Sequence, residues 1–331
     1  MAATALVTGA SGFIGAAVVR RLLQRGWRVR ALMRPESNRA NLDGLGVEAV
    51  TGRLEDEESL ALAVAGCAAV LHIAADYRLW APDPDALYRT NVTGSRALMR
   101  AALDAGVERV VHTSSVATLG HLPGDVAADE ETPTSLEEMI GAYKRSKFLA
   151  ERAVLRMVAE DGLPAVVVNP STPVGPGDIR PTPTGRMIAE AARGRIPAFV
   201  NTGLNIVHVD DVAEGHVLAL EKGRVGQRYV LGGDNLTLAA ILAVIAKAAG
   251  RRAPTVRLPR AVVWPMAVAA ELLARFTGVE PLVTCDGLRM SRACMYFRSD
   301  KAERELGYRH RPAEAALIEA ATWALQRGYG R

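Results

Sequence analysis

Cysteine is scarce in this sequence: only three of its 331 residues are cysteines, Cys67, Cys285 and Cys294. None of them form a CxxC pair, so the chain has neither the framework of a disulfide-stapled domain nor the spacing of a zinc site. The six histidines also lack ligand spacing, and we expect no metal. A few unpaired thiols are typical of a reducing compartment, so the expected location is the cytoplasm.

The chain also lacks a basic block. Forty Lys and Arg stand against thirty-six Asp and Glu, a net charge of +4, and aromatic residues make up 5% of the sequence. Proteins that bind nucleic acids typically carry a basic block or basic residues interleaved with aromatics, so we expect no nucleic-acid partner. Small anionic molecules remain compatible with this balance.

Long apolar runs are missing as well. The N-terminal run is broken by glycines and lacks the basic start of a signal peptide. Residues 261–276 are mostly apolar, but sixteen residues with a proline are too few to span a bilayer. We expect a core helix or a helix that covers the substrate. The alternative is a weak membrane-surface contact that serves a lipid-linked substrate.

What the sequence does contain is a glycine-rich turn at its start. The apolar run 4–8 leads into Gly9, Gly12 and Gly15, and an amphipathic segment follows until Gly26 ends it. This order predicts a strand, a tight turn and a helix, which bring backbone N–H groups and a positive helix end against a pyrophosphate. The spacing is GxxGxxG rather than the commoner GxGxxG, and a turn without a ligand is the alternative.

Short apolar strands and amphipathic helices alternate after this turn. The run 68–73 is apolar almost throughout, as in a parallel sheet buried on both faces. We therefore predict an α/β fold of Rossmann type, a doubly wound parallel sheet with a smaller, mostly helical C-terminal lobe for the substrate. The dinucleotide-binding domain is predicted over 1–170, with 205–232 returning to it, and the substrate lobe over 171–204 and 233–331. The predicted helices are residues 57–64, 86–105, 141–160, 184–193, 238–249, 261–276, 300–306 and 313–326.

An arginine stands where an NAD-binding fold typically has an acid. Arg34 follows the second predicted strand, 19 residues after Gly15, where a side chain is expected to meet the ribose 2′-hydroxyl. A guanidinium suits a 2′-phosphate better, so NADP is the expected cofactor, with NAD as the alternative and Arg39 as an additional contact. A surface arginine at a strand end is the other interpretation.

Tyr143 is distinguished from the other tyrosines by a lysine, Lys147, four residues further on. The two side chains share one helix face. A free phenol has a pKa of about 10, and because a nearby ammonium favours the phenolate, we expect Lys147 to lower the pKa of Tyr143. A positively charged nicotinamide would act in the same direction. Ser115, just after the strand 109–113, can hold a substrate oxygen. The alternative is a surface helix turn with a solvated lysine.

Together these motifs resemble the extended short-chain dehydrogenase/reductase family over almost the whole chain. The resemblance is carried by Thr8-Gly9-x-x-Gly12-x-x-Gly15, His72-Ile73-Ala74-Ala75, Asn91, Thr113-Ser114-Ser115, Tyr143-x-x-x-Lys147, Asn169-Pro170-Ser171 and Leu306-Gly307-Tyr308. Within the family, the stretches 75–80, 143–151 and 169–176 are similar to the hopanoid-associated sugar epimerase group. Dihydroflavonol 4-reductase-like enzymes are near relatives of that group.

The resemblance implies a role for each matching residue. Tyr143 is the implied proton donor or acceptor, Lys147 its partner and a ribose contact, and Ser115 the holder of the substrate oxygen. Leu54 is expected near the adenine, although Arg53 before it departs from the acid usual in the family. The other implied cofactor contacts are Gly9, Gly12, Phe13, Ile14 and Gly15 at the pyrophosphate, Ala74, Ala75, Asn91 and Thr113 along the cleft, and Pro170 and Ser171 at the nicotinamide.

The expected reaction is hydride transfer between a nicotinamide and a carbon that bears a hydroxyl or carbonyl group. The resemblance favours epimerisation of a sugar, such as a sugar nucleotide or a hopanoid-linked sugar. Arg34 favours NADPH and hence a ketone reductase. A non-catalytic NADP-sensing protein is a third alternative, against which Tyr143 and Lys147 argue. The expected partner is a small molecule, whose diphosphate could meet Arg186, Arg289 or Arg292, and a homodimer is left open.

Overall fold

The computed structural model describes residues 2–327. Strands and helices alternate through the N-terminal half, as the apolar pattern of the sequence predicts. In chain order these elements are β1 (Thr4–Thr8), α1 (Phe13–Gln24), β2 (Arg28–Met33), β3 (Val47–Thr51), α2 (Glu57–Val64), β4 (Ala69–His72), α3 (Asp85–Tyr88), α4 (Ser95–Asp104), β5 (Arg109–Thr113), α5 (Gly141–Asp161) and β6 (Ala165–Pro170).

The C-terminal half has shorter strands and more helix. Its elements are β7 (Thr172–Val174), α6 (Pro183–Ala192), β8 (Ala198–Phe199), β9 (Gly203–His208), α7 (Val209–Lys222), β10 (Arg228–Leu231), β11 (Asp234–Thr237), α8 (Leu238–Ala248), β12 (Val256–Arg257), α9 (Arg260–Thr277), α10 (Cys285–Met290), α11 (Asp300–Leu306) and α12 (Ala313–Arg327).

Seven strands form the main sheet, in the order β10-β6-β5-β4-β1-β2-β3. All neighbouring pairs in it are parallel. Chain order reverses on the two sides of β1, and in such sheets ligands bind at the carboxyl ends of the strands near that reversal. The predicted doubly wound parallel sheet is therefore confirmed.

Apolar side chains cover both faces of this sheet. α1, α7 and α11 pack on one face, whereas α2, α4 and α5 pack on the other. β4 and β6 are buried along their whole length, as expected of central parallel strands. The carboxyl edge of the sheet is thus held by two rigid layers of helices.

The predicted helix 86–105 is interrupted in the structure. A π-helical turn, Arg89–Gly94, separates α3 from α4. Such turns occur frequently at functional sites, because the extra residue changes the direction of the side chains around it. Asn91 lies in this turn and is buried.

A second group of elements packs beside the main sheet. β11, β9 and β7 form a three-stranded sheet, and α6, α8 and α12 share an apolar cluster of their own. α7 and β10, from the returning segment 205–232, belong to the main-sheet layers. So does α11, which the sequence-based division assigned to the substrate lobe. That division into two domains stays a prediction.

Helix α9 does not have the surroundings of a core helix. Only Val263, Ala267 and Ala274 are buried in it, while Phe276 is 89% exposed. Of the two interpretations from the sequence, the core helix does not apply, because α9 packs through a narrow stripe and leaves a broad face open. The helix that covers the substrate stays a prediction. Within residues 2–327, no helix is long and apolar enough to cross a membrane.

Candidate active site

Two glycines bring the first turn close against its neighbours. Gly9 has φ +67°, and a Cβ on it would lie 2.7 Å from the backbone nitrogen of Ala74. A Cβ on Gly15 would collide with the carbonyl oxygen of Gly9. Glycine at both positions therefore lets α1 start directly against the carboxyl ends of β1 and β4.

The start of α1 is arranged to receive an anion. Its N-cap residue is Gly12, which offers no side-chain cap, and its first turn contains no acid. The backbone N–H groups of Phe13 and Ile14 therefore have no side-chain acceptor at the cap, at the positive end of the helix dipole. This geometry fits the pyrophosphate of a dinucleotide, as the glycine pattern predicts.

Thr8 ties the ends of β1 and β4 together beside this turn. Its hydroxyl oxygen accepts hydrogen bonds from the backbone nitrogens of Ile73 (3.1 Å) and Ala74 (3.2 Å). The same hydroxyl contacts Nδ1 of His72 at 2.8 Å. The segment that carries Ala74 and Ala75 is thereby fixed at the expected cofactor crevice.

Arg34 lies exposed just beyond the end of β2. Its Nε is 3.7 Å from the carboxylate of Glu36, and Arg53 donates two hydrogen bonds to the same carboxylate, at 3.1 and 2.9 Å. Ser37 accepts a hydrogen bond from the Arg34 backbone nitrogen. Two guanidinium groups therefore converge at the strand end where a 2′-phosphate is expected. Arg39, the additional contact proposed from sequence, is exposed nearby at the start of a short 3₁₀ helix.

Several expected cofactor contacts instead hold the protein framework. Leu54 is 7% exposed and packs against Gly94 in the core. The amide of Asn91 donates to the Asp76 carbonyl and to Ser146, both at 2.9 Å, and accepts from the Asp76 backbone nitrogen. One N–H group and the carbonyl oxygen of the amide therefore fix the loop after β4, and the other N–H group joins it to α5. The direct cofactor contacts of Leu54 and Asn91 stay predictions.

The structure brings Ser115 and Tyr143 together. Ser115 follows β5 and Tyr143 lies in the first turn of α5, where the serine side chain is near enough to the phenol to lower its pKa. Burial has the larger effect, and it raises the pKa of Tyr143 above its usual value of 10. The expectation of a lowered pKa is therefore not met, because desolvation of the phenol outweighs the influence of Ser115.

Lys147 lies one turn along α5 and is buried. Its Nζ donates a hydrogen bond to the carbonyl oxygen of Thr113 at 2.7 Å. Burial lowers the pKa of this lysine to about 8, although the nearby Glu151 opposes the shift. The hydroxyl of Thr113, a predicted cofactor contact, is 2.9 Å from Nε2 of His216.

A buried network under Ser115 escaped the sequence-based prediction. Glu151 accepts hydrogen bonds from Thr118 and Asn169, both at 2.8 Å. The Thr118 hydroxyl also lies 2.8 Å from the carbonyl oxygen of Ser115, which accepts a hydrogen bond from Asn169 at 3.1 Å. The available signal was spacing: Glu151 lies four residues after Lys147, on the same face of α5. The network fixes the loop that presents the Ser115 hydroxyl.

Buried polar atoms near the expected nicotinamide position support a ligand there. Among the described residues, the hydroxyl oxygens of Ser114 and Ser171 and Oδ1 of Asn169 are buried without a hydrogen-bond partner. Buried polar atoms are rarely left unsatisfied. Ser171 directly follows Pro170, so the pair that the resemblance implied for the nicotinamide fits a bound dinucleotide. For a metal ion, by contrast, residues 2–327 offer no group of three or more His, Cys, Asp or Glu.

A cavity of about 780 Å³ is lined in part by Ala142, the residue before Tyr143 in the chain. Of the three arginines proposed from sequence, Arg289 lines it, 5.4 Å above the ring of Trp264 and 2.8 Å from Asp286. Arg186 pairs with Glu280 instead, and Arg292 is outside the lining. The residues around the cavity are Arg78, Leu79, Trp80, Ala81, Pro82, Pro84, Leu87, Ala142, Trp264, Glu271, Arg275, Cys285, Asp286 and Arg289.

The fold and the site together define a class of nucleotide-dependent enzymes. Its features here are a parallel Rossmann-type sheet, a glycine turn at the first helix and a side-chain cluster at the carboxyl edge of the sheet. The sequence model of the NAD dependent epimerase/dehydratase family matches residues 5–232. The chain belongs to this family, that of the extended short-chain dehydrogenases/reductases, and it is an NAD(P)-dependent enzyme.

Relatives of known sequence or structure cover nearly the whole chain. A Synechocystis sp. protein provisionally named a dihydroflavonol 4-reductase is 43% identical over 99% of this chain and 96% of its own length. Sterol demethylase protein B of Methylococcus capsulatus is 37% identical over 98% of this chain and 99% of its own. The solved structure of the protein gox2253 is 52% identical, covers 99% of both chains and superposes with a TM-score of 0.89.

Proposed function

We propose that the chain reduces a carbonyl group, or oxidises the corresponding hydroxyl group, of an apolar small molecule with NADP(H). The observation that carries this proposal is the proximity of the Tyr143 and Ser115 side chains, together with a cavity that Ala142, the chain neighbour of Tyr143, helps to line with aromatic, aliphatic and charged residues. A hydroxyl pair of this kind can bind the oxygen of a substrate and exchange a proton with it.

The protonation state of Tyr143 favours the reducing direction. Because burial raises its pKa, the phenol carries its proton at neutral pH and can act as an acid. Bound NADPH supplies the hydride for the carbonyl carbon. Ser115 holds the carbonyl oxygen, and Tyr143 Oη delivers the proton to that oxygen, which yields the hydroxyl product.

Lys147 and Glu151 support this pair in different ways. The ammonium group of Lys147 fixes the end of β5 through Thr113. We assign it a ribose hydroxyl of the cofactor as a further partner. Glu151 does not approach the hydroxyl pair itself and acts through Thr118 and Asn169 on the backbone of Ser115. It is therefore a positioning residue.

The choice of NADP rests on the arginines near the end of β2. Arg34 and Arg53 both lie close to Glu36, and a 2′-phosphate would compete with that carboxylate for Arg34. Phosphate oxygens form stronger, charge-assisted bonds with guanidinium groups than a neutral ribose hydroxyl can. An NAD-specific site would instead need an acid where Arg34 stands.

An apolar substrate fits the cavity better than a highly charged one. Leu79, Trp80, Pro82, Leu87 and Trp264 supply aromatic and aliphatic surface for a ring compound. The names of the two relatives mention a dihydroflavonol and a sterol, which are both ring compounds with oxygen substituents. These names support a substrate of the same general class.

Epimerisation of a sugar nucleotide or a hopanoid-linked sugar is the second candidate. Arg78, Arg275 and Arg289 line the cavity, and guanidinium groups are typical ligands of a diphosphate. Arg78 and Arg289 are, however, already paired with Asp76 and Asp286. Their charge is partly compensated, so we rank ketone reduction first.

The test begins with the nucleotide that copurifies with the protein, read by absorbance and mass. The protein is then assayed for oxidation of free NADPH with a panel of aromatic and alicyclic ketones, and for epimerisation of UDP- and dTDP-sugars without added cofactor. Turnover of NADPH with ketones supports the reductase. Tight, non-exchanging nucleotide together with sugar epimerisation would overturn it in favour of the second candidate.

A further inference from the structure

The exposed apolar side chains of this protein are concentrated on one segment. Among the described residues, sixteen large apolar side chains are exposed, and ten of them lie between Val256 and Val283. The other six are scattered singly, which is normal for a protein surface. On α9 and the loop after it, the exposed ones are Val262, Met266, Val268, Leu272, Leu273, Phe276, Val279, Leu282 and Val283.

Helix α9 is amphipathic in the opposite sense to an ordinary surface helix. Its polar side chains contact the protein or the cavity: Arg260 donates to Ser291, Glu271 accepts from the Cys285 backbone nitrogen, and the exposed Arg275 lines the cavity. Its outer face carries apolar residues such as Leu273, which is 63% exposed. A helix at a water-exposed surface normally directs its apolar side chains toward the core and its polar side chains toward the solvent. The outer face of α9 therefore has the apolar composition expected of a surface that is in contact with an apolar phase rather than with water.

The charge around this face is positive. Residues 251–283 contain five arginines and two acids, Glu271 and Glu280, whose carboxylates accept hydrogen bonds from the backbone nitrogens of Cys285 and Leu79. Arg251, Arg252 and Arg257, just before α9, are exposed. A helix with an apolar face of Phe, Leu and Met and flanking arginines is typical of attachment to an anionic lipid surface.

We propose that the outer face of α9, with the loop to Val283, binds the interface of an anionic membrane. This inference goes beyond the proposed reaction and does not depend on it. The inner face of the same helix forms a wall of the cavity, through Trp264, Glu271 and Arg275. Attachment by the outer face thus places the cavity beside the layer in which an apolar substrate is dissolved.

A second copy of the chain fits this face less well than a lipid surface. A two-fold contact through α9 would put the same exposed arginines, Arg251, Arg252 and Arg257, on both partners, and residues 251–283 have no exposed acid to pair with them. Like charges that are brought together in this way oppose association, whereas anionic headgroups would neutralise them.

The experiment is flotation of the full-length protein with vesicles of phosphatidylcholine containing phosphatidylglycerol, and with vesicles of phosphatidylcholine alone. We expect the protein to bind the anionic vesicles, and this binding should weaken at high salt. Binding to the neutral vesicles should be weaker by at least about tenfold. The double variant Leu273→Glu/Phe276→Glu should lose at least about tenfold in the bound fraction. Leu62→Glu is the matched control, because Leu62 is 68% exposed on α2 and should leave binding unchanged.

Thermal unfolding and NADPH binding of each variant establish that the fold is intact, since neither Leu273 nor Phe276 lines the cavity. Absence of wild-type binding to anionic vesicles at low salt overturns the proposal. So does an equal loss in Leu62→Glu. A wild-type dimer that the double variant converts to a monomer, without vesicle binding by either, assigns the face to a second copy instead.

Discussion

The ammonium group of Lys147 donates a 2.7 Å hydrogen bond to the carbonyl oxygen of Thr113, the last residue of β5. The bond joins α5, which carries Tyr143, to the strand that leads into Ser115. Burial of this charge costs free energy, and its effect on stability depends on pH.

Stability should rise with pH because of Lys147. Its pKa is lowered to about 8 in the folded protein from the ordinary lysine value of 10.5, so the unfolded chain binds more protons between these two pH values. The wild type should therefore gain about 3 kcal/mol relative to Lys147→Met between about pH 7 and about pH 10.5. Urea unfolding of both proteins across this range measures the difference. The pKa of Lys144 is also lowered to about 8, but its effect on stability is present in both proteins and cancels in the comparison. Parallel curves would contradict the prediction.

Removal of the Tyr143 hydroxyl should abolish most of the reaction. Tyr143→Phe is expected to lower kcat for ketone reduction by about 10³-fold, because the carbonyl oxygen loses its proton donor. NADPH affinity, measured by fluorescence titration, should stay unchanged. Tyr229→Phe is the control, since that hydroxyl donates to Glu305 at 2.8 Å, outside the site. Equal losses in both variants would show that the effect is structural.

Glu151 should affect kcat without affecting cofactor binding. Glu151→Gln replaces one carboxylate oxygen, a hydrogen-bond acceptor, with an amide NH₂ group, which donates. This change disturbs the hydrogen bonds from Thr118 and Asn169 and thereby the Ser115 loop. We expect kcat to fall about 10- to 100-fold with little change in the Kd for NADPH. Glu160→Gln changes an exposed acid on the same helix and should be neutral. A Kd that rises as much as kcat falls would argue for general disruption.

Arg34 should determine the choice between NADPH and NADH. Arg34→Asp removes the proposed 2′-phosphate contact and places an acid where the 2′-hydroxyl of NAD would lie. The Kd for NADPH should rise about 10- to 100-fold, and the Kd for NADH should fall. Arg28→Asp is the control, because Arg28 is exposed at the opposite end of β2. Unchanged affinity for both nucleotides in Arg34→Asp would remove the basis for an NADP preference.

Any side chain at position 15 should destabilise the protein. In Gly15→Ala the new methyl group meets the carbonyl oxygen of Gly9, so the turn and α1 must separate. We expect a loss of about 3 kcal/mol in the free energy of unfolding and weaker binding of NADPH. Gly46→Ala should cost almost nothing, since a Cβ there has no neighbour within 4 Å. Chemical unfolding of both variants checks the contrast.

Short-range pattern in the sequence was sufficient for the fold class and for part of the site. The glycine turn, the apolar strands and the spacing of Tyr143 and Lys147 each depend on a few consecutive residues. Local backbone preferences and the periods of helix and strand therefore determine them. For the same reason, a resemblance in these motifs was enough to predict the family.

Only the tertiary structure decided what depends on residues distant in sequence. The direction of the Tyr143 pKa shift follows from burial, which no spacing reveals. Asn91 fixes the loop after β4, and Glu151 reaches Asn169 across the sheet edge. The cavity is assembled from segments near Arg78, Ala142 and Trp264, far apart along the chain. Solvation and long-range contact are properties of the packed chain, so the outward apolar face of α9 could also be recognised only after packing had placed its polar residues inward.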